Sequence, residues 1–167
     1  FNESRDRKEY AFFMEMGTGK SKVAIDTFSW LYDQGRINSV LIVCPKGAYH
    51  NWFNREVPIH IPKHVRYDMA IWTGSKRIAD VRSIEGILRP SEDLRILVVN
   101  VESLPTKRSF KVAKSFVEGS RCMMIVDEST TIKNPRASRT KAVVSLGIQA
   151  QYRRILSGQP IANSPMD

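Results

Sequence analysis

Met14-Glu15-Met16-Gly17-Thr18-Gly19-Lys20-Ser21 is the stretch that decides the fold. The apolar run Ala11 to Met16 predicts a buried strand. Lys20 to Tyr32 predicts a helix, with Val23, Ile25, Phe28, Trp30 and Leu31 spread over much of its circumference, so that it should be well buried. Between them lies a short loop rich in glycine. Glycines let successive backbone N–H groups turn towards one anion, and the N-terminus of a helix adds a favourable dipole. In such a loop Gly17, Thr18 and Gly19 would cradle phosphate. Lys20 would reach the β- and γ-phosphates, and the Ser21 hydroxyl would ligate Mg²⁺. The general pattern G-x-x-x-x-G-K-[ST] is not fully met, because Met14 stands where its first glycine would be. The strand–loop–helix order nevertheless favours phosphate binding over a chance Gly-Lys-Ser.

The same alternation repeats outward from this stretch. Val40 to Cys44, Met69 to Trp72, Leu94 to Val99, Cys122 to Val126 and Ile155 to Leu156 are apolar runs that predict strands. Gly47 to Glu56, Ser75 to Leu88, Phe110 to Val117 and Ser138 to Leu146 predict helices. Several runs are continuously apolar, as strands buried on both faces are. The pattern therefore predicts an α/β fold, a parallel sheet with helices on both faces. The 167 residues suit one domain, and 42% hydrophobic with 26% charged residues excludes a disordered chain. No stretch approaches the ~20 apolar residues of a membrane span, and no signal-peptide pattern is present. Cys44 and Cys122 lie inside apolar runs, which argues for inert core thiols in a reducing, intracellular compartment, cytoplasmic or nucleoid/nuclear. Lys and Arg number 26 against 17 acids, a net +9, which points to a polyanionic partner such as nucleic acid. The polar ends, Asn2 to Glu9 and Asn163 to Asp167, read as those of a piece of something longer.

A second constellation follows the run Cys122 to Val126, which ends in Asp127-Glu128. Acids at the carboxyl end of a buried strand lie where open α/β sheets keep their ligand chemistry. Asp127 would hold Mg²⁺ through its waters, and Glu128 would orient and deprotonate an attacking water. The plainer alternative is a solvated pair of acids at a strand end. His60 and His64 have the spacing of a helical metal pair, but Pro62 sits between them and no cysteine or acid joins them, so a metal site is disfavoured. Trp52 and Trp72 offer stacking surfaces for bases, although their apolar neighbours favour core packing for both.

In order along the chain, these segments resemble the first RecA-like lobe of the Swi/Snf-like branch of superfamily-two helicases. Residues 14–21 resemble motif I. Leu41 to Lys46, followed by Asn51-Trp52 and Glu56, resembles motif Ia. Gly74-Ser75-Lys76 and Arg82 resemble the segment after the third strand, and Val98 to Leu104 resembles motif Ib. Asp127 to Thr130 with Ile132-Lys133-Asn134-Pro135 resembles the extended motif II, and Leu156 to Ser164 resembles motif III. The Ile-Lys-Asn-Pro extension and the Asn-Trp pair point to this branch over the DEAD-box RNA helicases.

The resemblance implies a RecA-like, P-loop NTPase three-layer sandwich with a mostly parallel sheet, spanning 1–167 as one lobe of a longer two-lobed protein. It implies an ATP hydrolase that uses Mg²⁺, with Lys20, Asp127 and Glu128 as catalytic residues, and that moves on or remodels DNA, most plausibly double-stranded. In the family, motifs Ia and Ib and the residues after motif II contact the phosphate backbone, which carries over to Lys46, Asn51, Ser103 and Lys133, with Arg136 and Arg139 as neighbours. Independently, basic residues cluster at Lys107, Arg108, Lys111 and Lys114 and again at Lys133, Arg136, Arg139 and Lys141. Coupling of hydrolysis to movement would involve Thr130, Ser157, Gly158 and Gln159. Thr130 stands where the family often has His, and Gln159 where Thr usually follows the motif III glycine. The family's adenine-reading Gln would lie upstream of Phe1, and its arginine finger in a second lobe beyond Asp167, so that the single lobe should hydrolyse ATP barely if at all. Two rival readings differ in class: a nucleic-acid-binding scaffold with a vestigial ATP site, and a non-helicase P-loop NTPase such as a small-molecule kinase.

Overall fold

Runs that are apolar at every position become strands buried on both faces. A computed structural model describes residues 1–15, 17–75 and 77–158. Along the chain lie β1 (Glu9–Phe13), α1 (Lys20–Asp33), β2 (Ser39–Cys44), α2 (Tyr49–Asn51), a π-helical turn (Trp52–Glu56), α3 (Val57–His60), β3 (Tyr67–Trp72), α4 (Ile78–Leu88), β4 (Leu94–Asn100), α5 (Lys107–Glu118), β5 (Cys122–Asp127), a 3₁₀ turn (Ser129–Ile132), α6 (Ser138–Gln149) and β6 (Tyr152–Ser157). The six strands form one sheet in the order β1-β6-β5-β2-β4-β3, and every described pairing is parallel.

Side chains alternate across the sheet with period two. Leu41, Val43, Leu97, Val99 and Met124 face one core, closed by Ile84 of α4, Phe116 of α5 and Leu146 of α6. Val40, Ile42, Ile96, Val98 and Ile125 face the other, closed by Ile25, Phe28 and Leu31 of α1 together with Trp52 and Val57. The result is the three-layer RecA-like sandwich that the sequence implied. Trp52 and Trp72 are each 1% exposed, so both pack as core. Cys44 and Cys122 are buried free thiols; burial pushes Cys122 up to about 12 and raises Cys44 as well, so neither is a thiolate near neutrality. No helix among the described residues is long and apolar enough to cross a membrane.

Some element boundaries differ from the sequence reading, each for a physical reason. The strand expected over Ala11 to Met16 is Glu9–Phe13, because among the described residues it pairs with β6 alone and the register runs from Glu9 opposite Arg153 to Phe13 opposite Ser157. The ladder's last link is the Met14 N–H to the Ser157 carbonyl at 3.2 Å. Conversely, β6 is longer than Ile155 to Leu156, because two arginines enter a strand that looked too polar. The helix expected over Gly47 to Glu56 begins at Tyr49, opens into the π turn and continues to His60; Pro58 sits in the first turn of α3, where no N–H is needed. Helix α4 starts at Ile78 rather than Ser75, since the Ser75 hydroxyl accepts from the Arg77 N–H and holds a turn there. Helix α5 starts three residues early, because Thr106 Oγ1 caps it by accepting from the Ser109 N–H at 3.3 Å.

Arg154 explains the long β6. It is 1% exposed, and its guanidinium sits among carbonyls. Nη2 donates to Ser4 and Arg7 at 2.8 Å each, and Nη1 to Arg153 at 2.8 Å and to Lys8 at 3.3 Å. Burial pulls the group down to about 10, still charged at neutral pH. It fastens the N-terminal turn to the edge of the sheet. Arg154→Ala should therefore cost about 3 kcal/mol, the scale of losing charge-assisted bonds to buried acceptors. Urea unfolding reads the loss, and amides 4–9 should lose exchange protection first. An unchanged midpoint would show that the clamp contributes nothing.

Candidate functional site

Because the strands are parallel, all six carboxyl ends open on one edge of the sheet, where ligands of α/β folds collect. The strand order sorts the candidate residues along that edge. The glycine-rich loop follows β1, Ser157 and Gly158 end β6, and Asp127-Glu128 end β5, so these three sets are consecutive neighbours. Lys46 and Asn51 follow β2, Ser103 follows β4, and Lys133, Arg136 and Arg139 follow β5. Thus β5 belongs to both groups.

The loop has the conformation that its glycines suggest. Gly17 has φ 79° and Gly19 φ 88°, the left-handed region that glycine enters without penalty. Gly19 is also the N-cap of α1, whose first amides have no partner within the helix. Lys20 Nζ donates to the carbonyls of Met14 and Glu15, both at 2.9 Å, and Thr18 Oγ1 donates to the Glu15 carbonyl at 2.6 Å. Gly17, Thr18 and Gly19 are exposed, while Lys20 and Ser21 are half-buried. Met16 lies outside the described residues.

Asp127 is the electrostatic centre. Desolvation is the largest influence on its carboxyl and raises its pKa. Opposing this are the Trp52 indole N–H, which donates to Oδ2 at 2.8 Å, the Glu128 N–H, which donates to Oδ1 at 3.0 Å, and the charge of Lys20; Glu56 adds a smaller push upward. Lys20 and Asp127 therefore share a field although β6 separates their strands. Glu128 has φ 50° and ψ 63°, the one non-glycine positive φ among the described residues. A left-handed residue other than glycine costs about 1–2 kcal/mol, and such outliers concentrate at functional sites. It turns the chain out of β5 into the 3₁₀ turn that carries Thr130, with the Thr131 N–H on the Glu128 carbonyl at 3.0 Å. Ser157 is fully buried, and its hydroxyl has no hydrogen-bond partner among the described residues. Gly158 is half-buried, and Gln159 lies outside the described residues.

The nucleic-acid candidates divide into free and engaged groups. Lys46, Lys133, Arg136 and Arg139 are exposed. The backbone N–H of Lys46 donates to Glu102 at 3.2 Å. Asn51 is exposed, but its amide donates to Glu56 Oε1 at 3.0 Å, an i to i+5 pair that suits the π turn. The Ser103 hydroxyl donates to the Asn100 carbonyl at 2.8 Å, within a run of tight turns. Arg139 and Glu102, with Pro105, Ala137 and Ser138, line a shallow depression of about 300 Å³, which brings the loops after β4 and β5 together. Arg108 is drawn over the Trp72 ring, 5.2 Å from its centroid. The two histidines face different carboxylates: His64 lies 3.0 Å from Asp33, and His60 lies 3.9 Å from Glu56.

Sequence reasoning did not anticipate the link from Trp52 to Asp127, the approach of Glu56 to that carboxylate, or the Arg154 clamp. The pairing of Trp52 with Asp127 spans 75 residues and leaves no local pattern. Only the Asn51-Trp52 pair before Glu56, given a family resemblance but no contact to Asp127, marked the place.

Comparison with known proteins agrees with this geometry. The helicase-like transcription factor of Oryctolagus cuniculus is 31% identical over 135 residues, covering 79% of this chain and 12% of that protein. The chromatin-remodeling ATPase INO80 of Lodderomyces elongisporus is 28% identical over 155 residues, covering 90% of this chain and 9% of that protein. The chain thus spans about a tenth of the length of the curated relatives it matches. Among solved structures, the Sulfolobus solfataricus SWI2/SNF2 ATPase core in complex with dsDNA superposes with a TM-score of 0.66 at 24% identity, over 92% of this chain and 28% of that one, and so shares the fold. The profile of the SNF2-related domain matches residues 5–167, nearly the whole sequence, and the chain belongs to that family.

Proposed function

We propose that this chain is the ATP-binding lobe, the first RecA-like domain, of a longer two-lobed DNA-dependent ATPase that translocates on or remodels DNA. The observation that carries the reading is the placement of the glycine-rich loop with Lys20, the buried Ser157 and Asp127 on three consecutive strands at one edge of the sheet. Phosphate binding at helix N-termini and acids at strand ends make that edge suit a magnesium nucleotide. Gly17, Thr18 and Gly19 turn their backbone amides to the phosphates, and Lys20 exchanges its two carbonyl partners for phosphate oxygens. Ser21 and Asp127 hold Mg²⁺, which when bound neutralises charge on the phosphate chain. Glu128 orients the attacking water. Thr130, Ser157 and Gly158, together with Gln159, which lies outside the described residues, relay changes at the phosphates to the track. The names of the relatives, a chromatin-remodeling ATPase and a structure in complex with dsDNA, support DNA as the partner. The exposed Lys46, Lys133, Arg136 and Arg139 suit its phosphate backbone. Buried free thiols and such a partner support an intracellular compartment, cytoplasmic or nucleoid/nuclear.

Lys20→Ala should weaken Mg·ADP binding about 10- to 100-fold, the equivalent of one or two charge-assisted hydrogen bonds, and leave the chain folded, with the melting temperature lowered only as far as the loss of its two carbonyl bonds requires. Calorimetry on both proteins measures this, and equal affinities would remove Lys20 from the phosphate site.

Affinity for duplex DNA should fall linearly in log–log form with salt, because released counterions drive binding to phosphates. Replacing Lys46 and Lys133 together with Ala should weaken binding equally across unrelated sequences and flatten the salt slope by about two contacts' worth. Fluorescence anisotropy at several salt concentrations tests both. A salt-independent or single-sequence affinity would contradict a backbone track.

The chain alone should release phosphate from ATP barely, even with DNA. Charge developing on the transferred phosphoryl group also needs an arginine finger, worth about 10³- to 10⁵-fold in rate. A two-lobed chain should show DNA-stimulated turnover, and Glu128→Gln in that chain should abolish turnover while sparing ATP binding. Vigorous turnover by the 167 residues alone would replace this reading with a self-sufficient P-loop NTPase.

A further inference from the structure

Trp52 is fully packed in the core beneath α1, and a buried indole N–H needs an acceptor. A backbone carbonyl would serve any structural purpose. The acceptor here is instead Oδ2 of Asp127, at 2.8 Å, well within hydrogen-bond geometry. The other oxygen, Oδ1, takes the Glu128 N–H at 3.0 Å. Each carboxylate oxygen has two lone pairs, so one remains on each for a water or a metal. The carboxylate is thereby held at two points. Trp52 opens the π turn Trp52–Glu56, the widened turn of an otherwise α-helical segment. Such insertions occur often where a helix must re-aim a side chain at a functional site.

We infer that Trp52 is a positioning residue for the metal-binding carboxylate: its indole N–H fixes Asp127 in the orientation that leaves the remaining lone pairs to Mg²⁺ at the nucleotide. This rests on the nucleotide reading above. Partners that orient a metal ligand from behind are typically worth about 10- to 100-fold in metal affinity.

The test uses the whole chain, Mg²⁺ and ADP. Calorimetry measures ADP affinity in EDTA and across a Mg²⁺ titration, for wild type, for Trp52→Phe and for a chain with 3-benzothienylalanine at position 52. The last residue keeps the bicyclic shape and replaces the N–H with sulfur, so it tests the hydrogen bond without a cavity. Wild type should bind ADP more tightly with Mg²⁺ than in EDTA. Both variants should need about 10- to 100-fold more Mg²⁺ for half of that gain, with ADP affinity in EDTA unchanged. A purely structural tryptophan would lower the melting temperature of Trp52→Phe and leave the Mg²⁺ requirement alone. An unchanged Mg²⁺ requirement in the benzothienyl chain overturns the role of Trp52 while the nucleotide reading stands, and this chain decides the matter if Trp52→Phe fails to fold. If wild type itself gains nothing from Mg²⁺, the metal–nucleotide reading fails and the inference falls with it.

Discussion

Everything functional in this chain depends on strand pairing that is parallel throughout the described sheet. Parallel pairing sends every carboxyl end to one edge, so chemistry scattered from Gly17 to Gly158 converges without long loops. The order β1-β6-β5-β2-β4-β3 then divides the edge. The first three strands carry the phosphate loop, the buried Ser157 and the Asp127-Glu128 pair. The strands from β5 to β4 carry the exposed cations and the Glu102–Lys46 contact. A single strand, β5, serves both halves, with Asp127 at its end and Lys133 just beyond the 3₁₀ turn. The sheet is held by two full hydrophobic layers, so its edge is a rigid frame for mobile partners.

That frame also explains the balance at Asp127. A carboxylate half-sunk between strands pays desolvation, and its neighbours return part of it through two N–H donors and Lys20. One donor comes from the segment after β2, the same segment that bears Lys46 and Asn51. The hydrogen bond between Trp52 and Asp127 is therefore a direct tie between the two halves of the edge. Asn51 is tethered to Glu56 in the same turn, and Glu56 in turn bears on the carboxyl of Asp127.

How much of this was legible depended on whether the signal was local. The glycine-rich turn and the start of α1 were legible because glycine φ and the helix start act within a few residues of each other. The strands β2, β4 and β5 were legible because burial on both faces demands uninterrupted apolar runs. β6 was half-hidden, since Arg153 and Arg154 disguise a strand whose guanidinium groups donate to carbonyls and to Glu9 from the other end of the chain, with Arg154 Nε alone left unpaired among the described residues. The π turn was hidden as well, because nothing in Trp52 to Glu56 distinguishes an i+5 repeat from an i+4 one by type. The early start of α5 had a readable cap in Thr106, but the polar first turn Lys107-Arg108-Ser109 masked it. The tie of Trp52 to Asp127 could not be read at all, because a contact across 75 residues is a property of the sheet order and not of either segment.

The charge inventory of the nucleotide half leads to a last consequence. Among the described residues Lys20 is its half-buried cation that bears on Asp127, while Asp127, Glu56 and the adjoining Glu128 bring negative charge to the same edge. The loop amides and the dipole of α1 contribute partial positive charge only. A highly anionic phosphate chain beside those carboxylates needs more positive charge than this edge supplies, and the net +9 of the chain is spent elsewhere, on α5 and the exposed residues after β5. In the proposed reading, a divalent cation on Asp127 would meet part of the deficit and a cation from an opposing surface the rest. Closure of that surface would then complete the transition-state field, and closure itself would be the event reported through β5 to the half of the edge that bears the exposed cations.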